Sequence, residues 1–310
     1  MHHRHYLSVT DFSAEETYTL LALAARLKHK WHKHQRPSKR LKGQTLAAIF
    51  EKPSLRTRTT LEVAMTQLGG HTVVLGDSIG LGVREPAMDV AHNLARWVQI
   101  IAARTFAHAT LEELARYSAV PVINTLSDRE HPCQALADML TLQEHWGELP
   151  GHKLAFVGDG NNVAHSLLLL GAMLGLSVAV ATPAEYAPDP LVVQRAEACA
   201  AQHGSNIVIT TDPQIAVAEA DAIYTDVWVS MGQEAETATR QSIFAPYQVS
   251  QALWARTGNN QTLIMHDLPA HRGEEISAEL LDGPHSVIYD QAENRLHVQK
   301  ALILTLLERT

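Results

Sequence analysis

The chain has 310 residues with 33 acidic and 25 basic side chains, a net charge of −8 that argues against a charge-built nucleic-acid surface. Hydrophobic content of 46% with 19% charged residues is that of a globular chain, long enough for two domains of roughly 100–200 residues. Cys133 and Cys199 are too few for a disulfide scaffold and fit a reducing, cytoplasmic address, and no apolar run approaches the ~18 residues of a membrane span.

Residues 1–5 are His-rich and form no signal-peptide core, although they could take up metal adventitiously. Ser13 with Glu16 makes a capping box, and residues 18–31 continue as an amphipathic helix with a basic end. A buried strand is expected over 45–50. Leu61, Ala64, Met65 and Leu68 then recur at helical spacing until Gly69-Gly70 stops them. Residues 71–75 read as a strand, and the glycine-rich 76–82 as a mobile loop. A helix over 85–96, a strand over 99–103 ending at Arg104, a helix over 111–117 and a strand over 120–124 follow. Pro132 opens a long helix to about Trp146, and residues 147–151 break it.

A second alternating set begins at Lys153. Strands are expected over 153–157, 177–181, 206–210, 222–225 and 263–265, with helices over 163–174 and 192–202. Residues 232–240 read as a polar segment and 291–307 as a terminal helix. Strands alternating with helices in both halves predict an α/β chain of two domains, each a parallel sheet flanked by helices. The boundaries are set at 1–147 and 148–290, with 291–310 as a C-terminal helix.

Five stretches concentrate polar chemistry. In Phe50-Glu51-Lys52-Pro53-Ser54-Leu55-Arg56-Thr57-Arg58, hydroxyls and arginines stand where a strand becomes a helix N-terminus. Free N–H groups, the helix dipole and a guanidinium fork together suit a phosphate, and the same residues also fit an ordinary solvated helix start. Gly158-Asp159-Gly160-Asn161-Asn162-Val163 follows a strand and opens a helix. A dinucleotide reading fails because the third glycine falls at Val163 and the next strand ends without an acid, at Ala181-Thr182-Pro183. His131 and Cys133 have no second cluster at zinc spacing, which speaks against a metal; a neutral His131 at a helix start could bond a carbonyl oxygen or merely cap a loop. Asp226-Val227-Trp228-Val229-Ser230-Met231-Gly232 could hold a small zwitterion or be a plain turn. Met265-His266-Asp267-Leu268-Pro269 is a polar turn whose Leu-Pro bond is a candidate cis peptide.

Taken together and in this order, these blocks resemble the aspartate/ornithine carbamoyltransferase family from Tyr6 onward, most closely its ornithine-using branch. The resemblance implies transfer of a carbamoyl group from carbamoyl phosphate to an amine, giving citrulline and phosphate when the amine is ornithine, a reaction of arginine metabolism. It implies a homotrimer with active sites at subunit interfaces, no metal or organic cofactor, and a C-terminal helix returning to the first domain. Residue by residue, it makes Ser54, Leu55, Arg56, Thr57 and Arg58 the phosphate cradle, and Arg104, His131 and Gln134 the carbamoyl binders. Arg295 resembles a late arginine that reaches back to that cradle. Asn162, Asp226, Ser230, Met231, Asp267 and Leu268 become the ornithine contacts, with Arg104, His131 and Asp267 in catalytic positions. Cys133 is expected to be structural, and the turn from residue 226 to 234 is expected to order on the amino acid.

Three departures from the family pattern stand out. Leu55 replaces a threonine, whose backbone N–H still serves phosphate. Gly80 stands where some members offer a polar side chain to a neighbouring subunit. Asp267 replaces a cysteine beside the attacking amine, which bears on amine choice and pH dependence. Other acceptors to weigh are putrescine, lysine or an acylated ornithine. Aspartate is disfavoured by Asp226 and Asp267. A catalytically silent binding homologue is disfavoured by the presence of Arg56, Arg58, Arg104, His131 and Gln134.

Overall fold

The structure, a computed structural model, describes residues 4–76, 80–82, 84–230 and 232–308. The chain divides into two compact units, Met1–Leu140 with Glu293–Thr310, and Thr141–Ala292.

The first unit opens with α1 (Ala14–His34), followed by β1 (Thr45–Phe50), α2 (Leu55–Leu68), β2 (His71–Leu75) and α3 (Ala87–Trp97). It continues with β3 (Ile100–Arg104), α4 (His108–Tyr117), β4 (Val122–Leu126) and α5 (Pro132–Trp146), the last of which belongs to the second unit from Thr141 on. Helix α1 starts where Ser13 Oγ accepts from the Glu16 N–H and the Glu16 carboxylate accepts from the Ser13 N–H. It ends on the basic residues His32, Lys33 and His34, the residue types that suit the negative end of the helix dipole. Helix α2 stops at Gly69, at φ 85°, where a Cβ would meet the Ser38 carbonyl oxygen at 2.6 Å.

The four strands are parallel in the order β2-β1-β3-β4. β1 is flanked on both edges, which is why five of its six residues are buried and its sequence runs apolar without alternation. From β1 the chain steps to β2 on one side and then crosses to β3 on the other. The strand order therefore reverses between β1 and β3, the place where open α/β sheets leave a crevice at their carboxyl ends.

The second unit contains β5 (Lys153–Val157), α6 (Asn162–Met173), β6 (Ser177–Ala181), α7 (Pro190–His203), β7 (Ile207–Thr210) and α8 (Pro213–Val217). Then come β8 (Ala222–Thr225), α9 (Thr237–Phe244), α10 (Gln251–Trp254), β9 (Leu263–His266) and α11 (Ala278–Leu281). Helix α12 (Ile288–Glu308) leads back, and from Glu293 on belongs to the first unit. The five strands are parallel in the order β7-β6-β5-β8-β9, so this sheet reverses between β5 and β8. Its core includes Val157, Ala181, Ile223, Trp228, Phe244 and Ile264.

Several elements differ from the sequence reading. Residues 237–244 are helical rather than an irregular polar segment, and α8, α10 and α11 are extra. These helices have eight residues or fewer, too few turns to display a period. Helix α3 begins at Ala87 rather than at residue 85, because Pro86 disfavours helical geometry at the residue before it. Residues 77–79 of the glycine-rich loop lie outside the described residues. Among those described, no helix is long and apolar enough to cross a membrane.

Candidate functional site

Each sheet's reversal point gathers residues singled out by the sequence. In the first unit, Phe50 at the end of β1 pairs in register with Arg104 at the end of β3, so the loop after β1 starts beside the Arg104 backbone. The Glu51 N–H donates to the Arg104 carbonyl oxygen at 3.0 Å, and the Phe106 N–H donates to the Glu51 carboxylate at 2.7 Å. Those bonds seat Ser54 at the head of α2, and Arg104 Nη1 donates to Ser54 Oγ at 3.4 Å. Ser54 makes no side-chain cap, so its hydroxyl is not committed to the first-turn amides.

Along that first turn the side chains divide. Leu55 is 78% exposed, Thr57 is fully buried, and Arg58 turns outward to Glu62 at 2.9 Å. Arg295 on α12 is buried and donates through Nη2 to the Thr57 hydroxyl, so the late arginine does reach α2. His131 and Gln134 are both buried where α5 begins after β4. The His131 carbonyl accepts from the Gln134 and Ala135 N–H groups, and Gln134 Nε2 donates to Asp138 Oδ1 at 2.9 Å. Cys133 is buried and its thiol donates to the Asn124 carbonyl oxygen; burial pushes that thiol up to about 12, which removes it as a nucleophile at neutral pH.

In the second unit the loop after β5 meets the end of β8. Gly160 packs so tightly that a Cβ would sit 2.4 Å from the Pro188 nitrogen and 2.5 Å from the Tyr186 oxygen. Asn161 Oδ1 then accepts from the Val163 and Ala164 N–H groups, capping α6, while its Nδ2 donates to Asp226 Oδ2 at 2.7 Å. Asn162, the residue named from the sequence, is the first of α6 and half-buried. Asn161 is thus a site residue that the sequence reading passed over. The strand-Gly-x-Gly-Asn pattern was its signal, since a side-chain amide at an N-cap can both cap and donate.

Asp226 is buried and its Oδ1 accepts its neighbour Val227's N–H at 2.7 Å. Carboxylate oxygens of Asp226 and Asp267 and a nitrogen of His266 lie within 4.8 Å of one another. Burial, then the adjacent Asp267 charge, holds the Asp226 carboxyl well above the usual carboxylate range. Behind them His266 is fully buried. Its Nε2 lies 3.1 Å from Glu275 Oε1, and its Nδ1 accepts from the Leu268 N–H at 2.9 Å and lies 3.5 Å from Asp267. Burial works against charge on this imidazole. Hydrogen bonds to Asp267 and Glu275 and the Asp226 field outweigh it and push His266 up to about 9. Nδ1 is shared between the Leu268 N–H, which calls for its lone pair, and Asp267, which favours its proton. His266 and Glu275 were not anticipated, because a buried histidine cannot be told from a surface one by type.

The Leu268-Pro269 bond is cis, as the turn's composition suggested, and Leu268 takes φ 61°. Ser230 sits in a turn whose carbonyl accepts the Gln233 N–H at 3.0 Å; Met231 lies outside the described residues. Arg240 anchors the approach to that turn. It donates to the Trp228 carbonyl at 2.5 Å, pairs with Asp159 and lies over the Tyr186 ring at 4.6 Å. Gly80 has φ 61° and a Cβ there would meet Arg84 Cβ at 2.7 Å, which accounts for glycine at that position.

The arrangement in the first unit suits an anion with a polarisable oxygen, and that in the second a cationic amine. Known proteins show the same division. Residues 4–144 match the family model for the aspartate/ornithine carbamoyltransferase carbamoyl-P binding domain, and 150–306 match its Asp/Orn binding domain. The chain is 52% identical over 308 residues to an ornithine carbamoyltransferase of Acidothermus cellulolyticus, covering 98% of this chain and 97% of that one. It is 51% identical over 305 residues to that of Halalkalibacterium halodurans, covering 98% and 95%. Among solved structures, ornithine carbamoyltransferase from Pyrococcus furiosus superposes with a TM-score of 0.95 at 49% identity, covering 99% of this chain and 98% of that one. With both family domains matched in order and full-length relatives near half identity, the chain belongs to the aspartate/ornithine carbamoyltransferase family.

Proposed function

We propose that the protein transfers the carbamoyl group of carbamoyl phosphate to the side-chain amine of L-ornithine, giving L-citrulline and phosphate. The observation that carries this reading is the sorting of charge between the two reversal points. The Arg104 guanidinium meets Ser54 and that of Arg295 meets Thr57, whereas two carboxylates meet beside Asn161. An acceptor with an anionic side chain would meet Asp226 and Asp267 unfavourably, whereas an ammonium-bearing one is matched.

In this reading Ser54, Leu55, Arg56, Thr57 and Arg58 hold the phosphate, with Arg295 steadying Thr57. Arg104, His131 and Gln134 address the carbamoyl oxygen. Asn162, Asp226, Ser230, Met231, Asp267 and Leu268 receive ornithine. The acceptor nitrogen bonds to the carbonyl carbon, negative charge gathers on its oxygen near Arg104 and His131, and the C–O bond to phosphate breaks with the electron pair leaving on phosphate. An alkyl amine has a pKa near ~10.4, so a proton must leave before attack, and Asp267 is assigned as its acceptor. A homotrimer, cytoplasmic location and a role in arginine biosynthesis complete the proposal, and no metal is assigned to the reaction.

The test is citrulline formation and phosphate release with ornithine, lysine, putrescine and N-acetylornithine offered separately. Ornithine should give the highest kcat/KM by at least an order of magnitude. Preference for another amine, or no turnover with any, would refute the assignment.

A further inference from the structure

Among the described residues, three groups of side chains bring metal-ligating atoms together. Two lie in the second unit, at Asp226-His266-Asp267 and at His271-Glu274-Glu275, within or beside the site above. The third joins His32 on α1 to Glu293 and His297 on α12, belongs to the first unit, and uses none of the cradle residues. We propose that His32, Glu293 and His297 form a binding site for a divalent transition-metal cation of the zinc type, which clips α12 to α1.

The donor set is the first argument. His32 Nε2 lies 2.5 Å from Glu293 Oε1, and His297 Nε2 lies 3.3 Å from the same oxygen. Two imidazole nitrogens and one carboxylate oxygen suit zinc and its neighbours. Bonds of ~2.0 Å in a tetrahedral arrangement separate donors by ~3.3 Å. The pair from α12 already meets that spacing, being held one turn apart on a single helix. Only His32 has to draw back, and its side chain is 54% exposed.

The fixed ring of His297 is the second argument. It is fully buried, with Nε2 toward Glu293 Oε1 at 3.3 Å and Nδ1 facing Lys300 Nζ at 3.5 Å, so one ligand of the set is already held in place by packing.

Access is the third. A cleft of about 240 Å³ is lined by Trp31, His32, Gln35, Glu293, Leu296 and His297, leaving room for a solvent ligand in the fourth position. His32 lies in the last turn of α1, where the helix dipole favours a cation. Arg295 stands between the two ligands of α12, so a clip here would steady the segment that holds Thr57.

The experiment titrates the full chain with Zn²⁺ by calorimetry and follows thermal unfolding with and without the ion. His32→Ala alters a surface side chain, and Glu293→Gln keeps the shape; circular dichroism verifies that both fold. The wild type should bind one more equivalent than either variant, or bind it roughly tenfold more tightly, a loss on the scale of even outer-shell changes at metal sites. Zn²⁺ should raise the wild-type melting temperature and leave those of the variants nearly unmoved. Equal stoichiometry and affinity in all three proteins would overturn the site and transfer the metal to the N-terminal histidines or the Asp226 cluster. No uptake by the wild type would overturn it outright.

Discussion

The Asn161 amide serves two masters: its oxygen caps α6, and its nitrogen donates to Asp226 at 2.7 Å. One side chain thereby ties the start of a helix to the end of the adjoining strand, across the point where the sheet reverses. The two roles separate by substitution. Asn161→Asp keeps an acceptor for the cap but withdraws the donor and brings a third carboxylate to the pair. The lost bond to Asp226 should cost about 1–3 kcal/mol of stability although the cap survives. The kcat/KM for ornithine should fall, because Asp226 is no longer held by the amide. Asn161→Ala should lose both. Urea melts and steady-state kinetics on the two variants check the split.

The carboxylate pair predicts a dependence of stability on pH. Asp226 and His266 both hold protons more tightly in the folded protein than in the unfolded chain. Folded chains then bind more protons, so stability falls as pH rises. For His266 the contribution is complete below about 6.5 and lost as pH rises through about 9. Asp267→Asn removes the charge that raises both groups and should flatten the decline across that window. Melting temperatures at several pH values for the two proteins decide it. Parallel curves would show that Asp267 does not act on its neighbours.

The same carboxylate should shape catalysis. A charged Asp267 holds an acceptor amine as ammonium, which binds but cannot attack, unless Asp267 also takes the proton. Asp267→Cys should move the pH profile of kcat/KM and alter the ranking of diamino acids by chain length. Identical profiles and rankings would make Asp267 a bystander.

Arg104 and Arg56 should be indispensable for the anion. Arg56→Ala or Arg104→Ala should weaken carbamoyl phosphate binding by about 2–5 kcal/mol, because water does not replace a guanidinium fork. Calorimetry with carbamoyl phosphate measures it, and unchanged binding by either variant would remove that arginine from the cradle.

Cys133 should resist chemistry. With its thiol buried and pushed up to about 12, iodoacetamide at neutral pH should label the half-buried Cys199 first and leave activity intact. Mass spectrometry of the alkylated protein locates the label. Rapid inactivation with label on Cys133 would contradict the structural role.

The strands and long helices were legible because buried parallel strands are apolar runs and α1 carries its capping signal in plain order, Ser13-x-x-Glu16, whereas the Asp189-Pro190 start of α7 went unread and that helix was expected two residues late. The residues around Ser54 and Asp226 were legible as polar clusters at strand ends. What was not legible is pairing at a distance. The Gly-x-Gly-Asn pattern marks Asn161 as a cap, but only the crossing between β5 and β8 shows that its amide meets Asp226. The His266–Glu275 contact likewise joins a strand end to a loop nine residues on, and burial rather than spacing gives it meaning. The short helices between β8 and α12 were missed for want of length.

The return of α12 has a consequence for synthesis. The second unit is continuous, from Thr141 to Ala292, whereas the first draws on Glu293 and beyond. On a ribosome the stretch made first therefore waits, with the flank that α12 covers exposed, until the intervening 141–292 has emerged and had the opportunity to fold. The Arg295–Thr57 bond spans 238 residues and is among the contacts that wait longest to be made. A nascent chain truncated before Glu293 would carry a complete second unit behind an unfinished first one, and chaperone engagement should concentrate on the latter.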